Sequence, residues 1–152
     1  MAAPASESTW TVGTAWKSDA VLSAYLSLVA VATLGLSDRV HLTGRLDDEG
    51  MLDHLARCRA VCFPPLQEDY GFVTVEAFAS RKAVVTCHDS GGPAELVRDG
   101  VEGFVCDPTP ASLAHALRRL IDDRALAERM GSSAFEAGQQ LNWADAVRQL
   151  TA

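Results

Sequence analysis

The sequence predicts an α/β fold, a Rossmann-like parallel sheet with helices on both faces. Three observations carry this. Short apolar runs recur near residues 40, 61, 85 and 105. Each is followed by a segment with helical patterning, so the chain repeats strand–helix–strand units whose crossovers force parallel pairing. One run, Ala83-Val-Val-Thr-Cys87, is almost uninterruptedly apolar, as a strand buried on both sheet faces should be.

Taken in order, residues 1 to 18 are small and polar and read as a poorly ordered lead-in. The uncharged run from Ala20 to Ser37 sits at the lower edge of a membrane-spanning length. However, Leu22, Leu26, Val29, Thr33 and Leu36 fit one face of a core helix, and serines dilute the run, so a buried helix is expected. Arg39 to Thr43 reads as a strand closed by the Gly44 turn. Asp48 to Arg57 is a helix with Met51, Leu52, Leu55 and Ala56 on one side.

Ala60 to Phe63 is a short strand stopped by Pro64-Pro65, and a helix follows from about Val73 to Ser80. After the buried strand, Ser90-Gly91-Gly92 is a turn, with Pro93 set to open a helix to Arg98. Gly103 to Cys106 is the next strand. Thr109-Pro110 caps a helix from Ala111 to Ile121, and Asp123 caps another from Arg124 to Met130, which Gly131 should end. A last helix is expected over Asn142 to Leu150.

Composition narrows the function classes. At 152 residues and 16.2 kDa there is room for one ordinary domain, and 48% hydrophobic residues mark it as globular. A net charge of −7 argues against a general nucleic-acid binder. The four cysteines lack the pairing of a zinc site, so no metal is expected and they read as reduced thiols of a cytoplasmic protein. Membrane association would be peripheral at most. No Gly-x-Gly-x-x-Gly turn opens a helix, which disfavours a dehydrogenase.

The candidate site is the stretch Glu68-Asp-Tyr-Gly-Phe-Val-Thr-Val-Glu76. Ligands of such sheets bind beyond the carboxyl ends of the strands, where this loop and Ser90-Gly91-Gly92 both fall. Gly71 admits a close backbone approach, and Phe72 and Val73 open the next helix with N–H groups that have no internal acceptor. A diphosphate suits that helix start. Glu76 could accept two hydrogen bonds from a vicinal diol, and Glu68 could address another part of the same ligand. Two glutamates spaced around a glycine are also what an ordinary solvated loop shows. Their place at a strand end, between Pro64-Pro65 and an apolar helix, favours the functional alternative.

The run Pro64-Pro65…Glu68-Asp-Tyr-Gly-Phe-Val-Thr-Val-Glu76-Ala-Phe-Ala resembles the carboxyl-terminal, donor-binding domain of retaining GT-B glycosyltransferases. So do Ala83-Val-Val-Thr, Ser90-Gly-Gly-Pro-Ala-Glu-Leu-Val97, Asp99-Gly100 and Gly103-Phe104, and upstream Leu34-Gly-Leu-Ser-Asp-Arg-Val-His-Leu-Thr-Gly44. The family meant is the one with two glutamates separated by seven residues, glycosyl transferases group 1. The resemblance covers roughly residues 20 to 150. It implies half of a GT-B fold, a nucleotide-diphospho-sugar as co-substrate and no cofactor.

By position, the resemblance makes Glu68 the candidate catalytic residue, contacting the donor hexose near the reacting carbon. It implies that Glu76 holds the ribose and that the amides of Gly71, Phe72 and Val73 serve the sugar and diphosphate. Gly44, Arg45 and Leu46 fall where the base is received. Glu95 matches a family glutamate that is equally a structural cap, and His88 is a rim histidine. The resemblance places the donor domain over residues 19–152, and the first strand and the Arg…Lys clamp that open such domains are expected to be missing here, as is the acceptor domain. The expected partner is therefore an acceptor-domain chain or a missing amino-terminal domain. The rival expectation is a non-catalytic interaction module derived from such a domain.

Overall fold

The computed structural model describes the backbone of residues 10–13 and residues 29–141. The chain divides into two compact units, Met1–Leu52 and Asp53–Ala152. The terminal helix expected over Asn142 to Leu150 lies outside the described residues, as does the first part of the apolar run after Ala20.

In the first unit, β1 (Trp10–Gly13) pairs in parallel with β2 (Val40–Gly44), from Trp10 opposite Val40 to Gly13 opposite Gly44. The lead-in expected over residues 1 to 18 therefore contains a strand at these four positions, and the first strand expected to be missing has a counterpart here. Residues 29–33 are helical (α1). The core-helix expectation fails for this described part: Val29 and Leu34 are exposed and Val31 is only half-buried. Helix α2 (Asp48–Arg57) starts where the Asp47 carboxylate accepts the Gly50 N–H at 2.9 Å, with Asp48 and Glu49 at the positive end of the helix dipole. Of its expected apolar face, only Leu55 is buried, while Met51, Leu52 and Ala56 are exposed.

The second unit is built on a parallel sheet in the order β3 (Ala60–Cys62), β4 (Ala83–Cys87), β5 (Gly103–Cys106). Between the strands lie α3 (Phe72–Ala79) and α4 (Gly92–Leu96); α5 (Pro110–Asp122) and α6 (Arg124–Gln139) follow β5. The central strand β4 is buried at all five positions, as its composition predicts. Strand β2 belongs to the β1 ladder, so the four sequence-predicted strands divide between two sheets.

The strand alternation sorts the core. Ala83, Val85 and Phe104 face one way and pack with Ala116 and Leu120 of α5 and Ala127 and Met130 of α6. Val84 faces the other way and packs with Ala77 and Phe78 of α3, Val97, and Ala134 of α6. Helices thus cover both faces, and α6 serves both clusters by passing from one to the other.

That passage explains Gly131. The sequence marks it as a helix stop, yet α6 continues to Gln139. Gly131 is buried, and a Cβ there would overlap the Arg81 carbonyl. The glycine lets the helix cross the chain just before β4 at close range. The caps at Thr109 and Asp123 stand as expected, accepting the N–H groups of Ser112 at 3.3 Å and Leu126 at 2.8 Å.

Candidate functional site

After β3 the chain keeps pairing with the segment beyond β4. Phe63 N–H donates to Val85 O at 2.8 Å, Gln67 N–H to Asp89 O at 3.0 Å and Glu68 N–H to Ser90 O at 3.0 Å. In return Gly92 N–H donates to Glu68 O at 2.8 Å, which makes Glu68 and Gly91 a parallel bridge. The Glu68 backbone is therefore held on both sides, and its side chain is half-buried. The turn that supplies these partners is itself braced: buried Ser90 accepts the Cys87 N–H through its hydroxyl at 3.2 Å.

Two glycines make this stitching possible. Gly91 has φ +70°, and a Cβ there would stand 2.5 Å from Glu68 O. Gly71, with φ +82°, caps α3, and a Cβ there would stand 2.7 Å from Cγ of the buried Pro93. Gln67 adopts φ +49° just before Glu68, a conformation that a non-glycine residue holds only where its surroundings insist.

Helix α3 begins with no side-chain cap and no acidic residue in its first turn. Its Phe72 and Val73 N–H groups are the orphan donors of that start, while Thr74 N–H already turns back to Gly71 O at 2.9 Å. Thr74 is fully buried, whereas Phe72 is exposed, Val73 half-buried and Glu76 exposed on the second turn. Among the sequence-predicted residues, Glu68, Gly71, Phe72, Val73 and Glu76 thus share one loop and the helix it feeds. Arg45, exposed, and Leu46, half-buried, follow Gly44 in the first unit. His88 and Glu95 are exposed on the β4–α4 side of this rim.

Sequence reasoning missed the positive φ at Gln67 and the fully buried carboxylate of Glu102. Glu102 accepts the Arg98 N–H at 2.9 Å and pairs with the Arg98 guanidinium, whose pKa it raises through that hydrogen bond and its charge. The available signal was a lone acid four residues after an arginine, at the entrance of an apolar strand. Cys62, Cys87 and Cys106 end the three strands, with Cys87 opposite Cys106 in register. Burial and then the neighbouring thiols push Cys62 up to about 11, and burial also raises Cys87 and Cys106. These thiols are protonated at neutral pH. No group of three or more His, Cys, Asp or Glu residues suited to a metal occurs among the described residues. None of the described helices is long and apolar enough to cross a membrane.

A parallel α/β unit with a clamped carboxylate loop and an uncapped helix start at its strand ends defines a Rossmann-like domain. The chain belongs to the glycosyl transferases group 1 family, whose pattern it matches over residues 28–137. It is 36% identical over 106 residues to an alpha-D-kanosaminyltransferase of Streptomyces kanamyceticus, covering 68% of this chain and 27% of that protein. It is 34% identical over 113 residues to a D-inositol 3-phosphate glycosyltransferase of Streptomyces griseus, covering 74% and 24%. The chain therefore spans about a quarter of the length of these curated relatives.

Among solved structures, sucrose-phosphate synthase of Thermosynechococcus elongatus aligns with a TM-score of 0.78 at 27% identity, over 93% of this chain and 36% of that one. Anabaena HepE in complex with UDP and glucose aligns with a TM-score of 0.75 at 30% identity, over 94% and 39%. The fold is the Rossmann-like half of a GT-B glycosyltransferase.

Proposed function

We propose that this chain is the donor domain of a retaining hexosyltransferase, binding a nucleotide-diphospho-sugar for transfer to an acceptor. The observation that carries the reading is the uncapped start of α3 set beside the clamped Glu68 loop. The orphan N–H groups of Phe72 and Val73, aided by the helix dipole, receive the diphosphate. Glu76 accepts from the ribose hydroxyls and Glu68 faces the hexose as the catalytic carboxylate. HepE, a 30% identical neighbour, has been solved with UDP and with UDP-glucose, which supports this class of ligand.

In the transfer, the bond between the anomeric carbon and the diphosphate oxygen breaks, and the acceptor hydroxyl oxygen bonds to that carbon. The hydroxyl proton passes to the departing diphosphate oxygen, and the charge that remains on the diphosphate is met by the helix-start donors rather than by a metal. Catalysis needs an acceptor domain, in this polypeptide or another chain, because one half of a GT-B cleft does not orient an acceptor. The setting proposed is cytoplasmic.

A second reading, a non-catalytic interaction module, is favoured by the apolar residues that α1 and its turn leave in solvent, with Leu34 69% exposed. Thermal shift separates the two. Titrating the chain with UDP-, GDP- and ADP-sugars should raise its melting temperature with one nucleotide class. Ligand at 100 times its Kd adds about 2.7 kcal/mol. Self-association with no shift from any nucleotide sugar would replace the donor reading by the module.

A further inference from the structure

Two hydroxyl groups of the second unit are buried without a hydrogen-bond partner among the described residues, Oγ1 of Thr74 on α3 and Oγ1 of Thr86 on β4. Both residues are 0% exposed. A buried hydroxyl left unpaired is costly, and valine has nearly the same shape without that cost.

The fold brings the two hydroxyls to one level of the same interface. The buried residues of α3 are Thr74, Ala77 and Phe78, a single face at helical spacing. Thr74 thus belongs to the core face of α3, not to its exposed start. On β4, Thr86 shares the parity of Val84, which packs with Ala77 and Phe78. Strands β3 and β4 are parallel, so α3 between them runs back against the strand direction. From Phe78 back to Thr74 the helix covers about 6 Å, and from Val84 on to Thr86 the strand covers about 6.6 Å. The threonines therefore lie level across the α3–β4 contact, at the carboxyl end of the sheet.

The two hydroxyls do not bond each other. The neighbouring buried groups, Ala77, Phe78, Val84 and Val97, are apolar, so an ion would find no counter-charge there. One water satisfies both threonines, donating to one Oγ1 and accepting from the other.

We propose that Thr74 and Thr86 form a buried water site that ties the first turn of α3 to the end of β4. The site uses the core side of α3 and stands whether or not a nucleotide sugar binds at the exposed start.

The test is a crystal structure of the full chain that resolves ordered water, joined to a double-mutant cycle in thermal unfolding. A water should lie within about 3 Å of both Oγ1 atoms. Thr74→Val and Thr86→Val should each lower the melting temperature, by about 3 °C, because each leaves the water and the other hydroxyl short of a partner. The double variant removes both hydroxyls and should lose less than the sum of the single losses. If the hydroxyls are dry, each valine instead raises the melting temperature and the two gains add. That result, a structure with no water at the pair, or a direct hydrogen bond between the two hydroxyls would overturn the site.

Discussion

Glu68 and Gly91 run side by side as a parallel bridge so close that a methyl group on residue 91 would stand 2.5 Å from the Glu68 carbonyl oxygen. The position of the carboxylate loop thus depends on a residue with no side chain, 23 positions later in sequence. Gly91→Ala would both strain a backbone at φ +70° and push the two loops apart. It should cost about 2 kcal/mol or more in urea unfolding and weaken UDP-glucose binding. Unchanged stability with unchanged binding would show that the loops do not need this closeness.

Gly131 should reverse a general trend. Replacing a helix-interior glycine by alanine ordinarily gains about 1 kcal/mol. In α6 the added methyl would overlap the Arg81 carbonyl, so Gly131→Ala should destabilise instead. Gly138→Ala in the same helix meets only the Phe78 Cβ at 3.2 Å and should be milder. Comparing the two midpoints in urea checks the sign.

Glu102 is fully buried and accepts both the N–H and the guanidinium of Arg98. Glu102→Ala would leave that N–H without its acceptor and empty a filled space, at a cost of about 2 kcal/mol. Glu102→Gln keeps one acceptor oxygen and should cost less. Thermal unfolding of both variants would reveal an error if they proved equally harmless.

Cys62 should be a slow nucleophile although the residue is exposed at the end of β3, because its thiol is the desolvated part. With its pKa near 11 rather than 9.0, its thiolate fraction at pH 8 falls roughly 100-fold, and alkylation slows by less than that because a more basic thiolate is the stronger nucleophile. The folded pKa lies above the unfolded one. Folding is therefore uncompromised by this thiol below about pH 9 and loses stability as pH climbs from 9 toward 11. Iodoacetamide labelling read by peptide mass, with the urea-unfolded chain as reference, measures the first effect. Equal rates in the two states would contradict it.

The architecture was legible where local chemistry decides it. The apolar run of β4, Thr109-Pro110 and Asp123 each announce their element within a few residues, and the structure keeps them. Tertiary contact decided the rest. Gly131 looks like a stop because its neighbour in space, Arg81, is 50 positions away in the chain. Trp10–Gly13 looks like a tail because its partner β2 begins at Val40. The apolar look of Met51 and Leu52 does not tell whether anything covers them.

The candidate site divides the same way. The spacing of Glu68, Gly71 and Glu76 announces a loop feeding a helix start, and that is where they lie. The clamp formed by Ser90, Gly91 and Gly92 is a long-range pairing, visible only when two strand ends are brought together.

The central claim is that the start of α3 and the Glu68 loop bind a nucleotide sugar. Isothermal titration of the chain with UDP and UDP-glucose, beside the Glu76→Ala and Glu68→Ala variants, tests it most directly. The account predicts that Glu76→Ala weakens both ligands about tenfold, by the loss of charge-assisted hydrogen bonds to ribose. It predicts that Glu68→Ala removes only the increment of UDP-glucose over UDP. Binding that neither substitution alters, or no heat from either ligand with a well-folded chain, would contradict it.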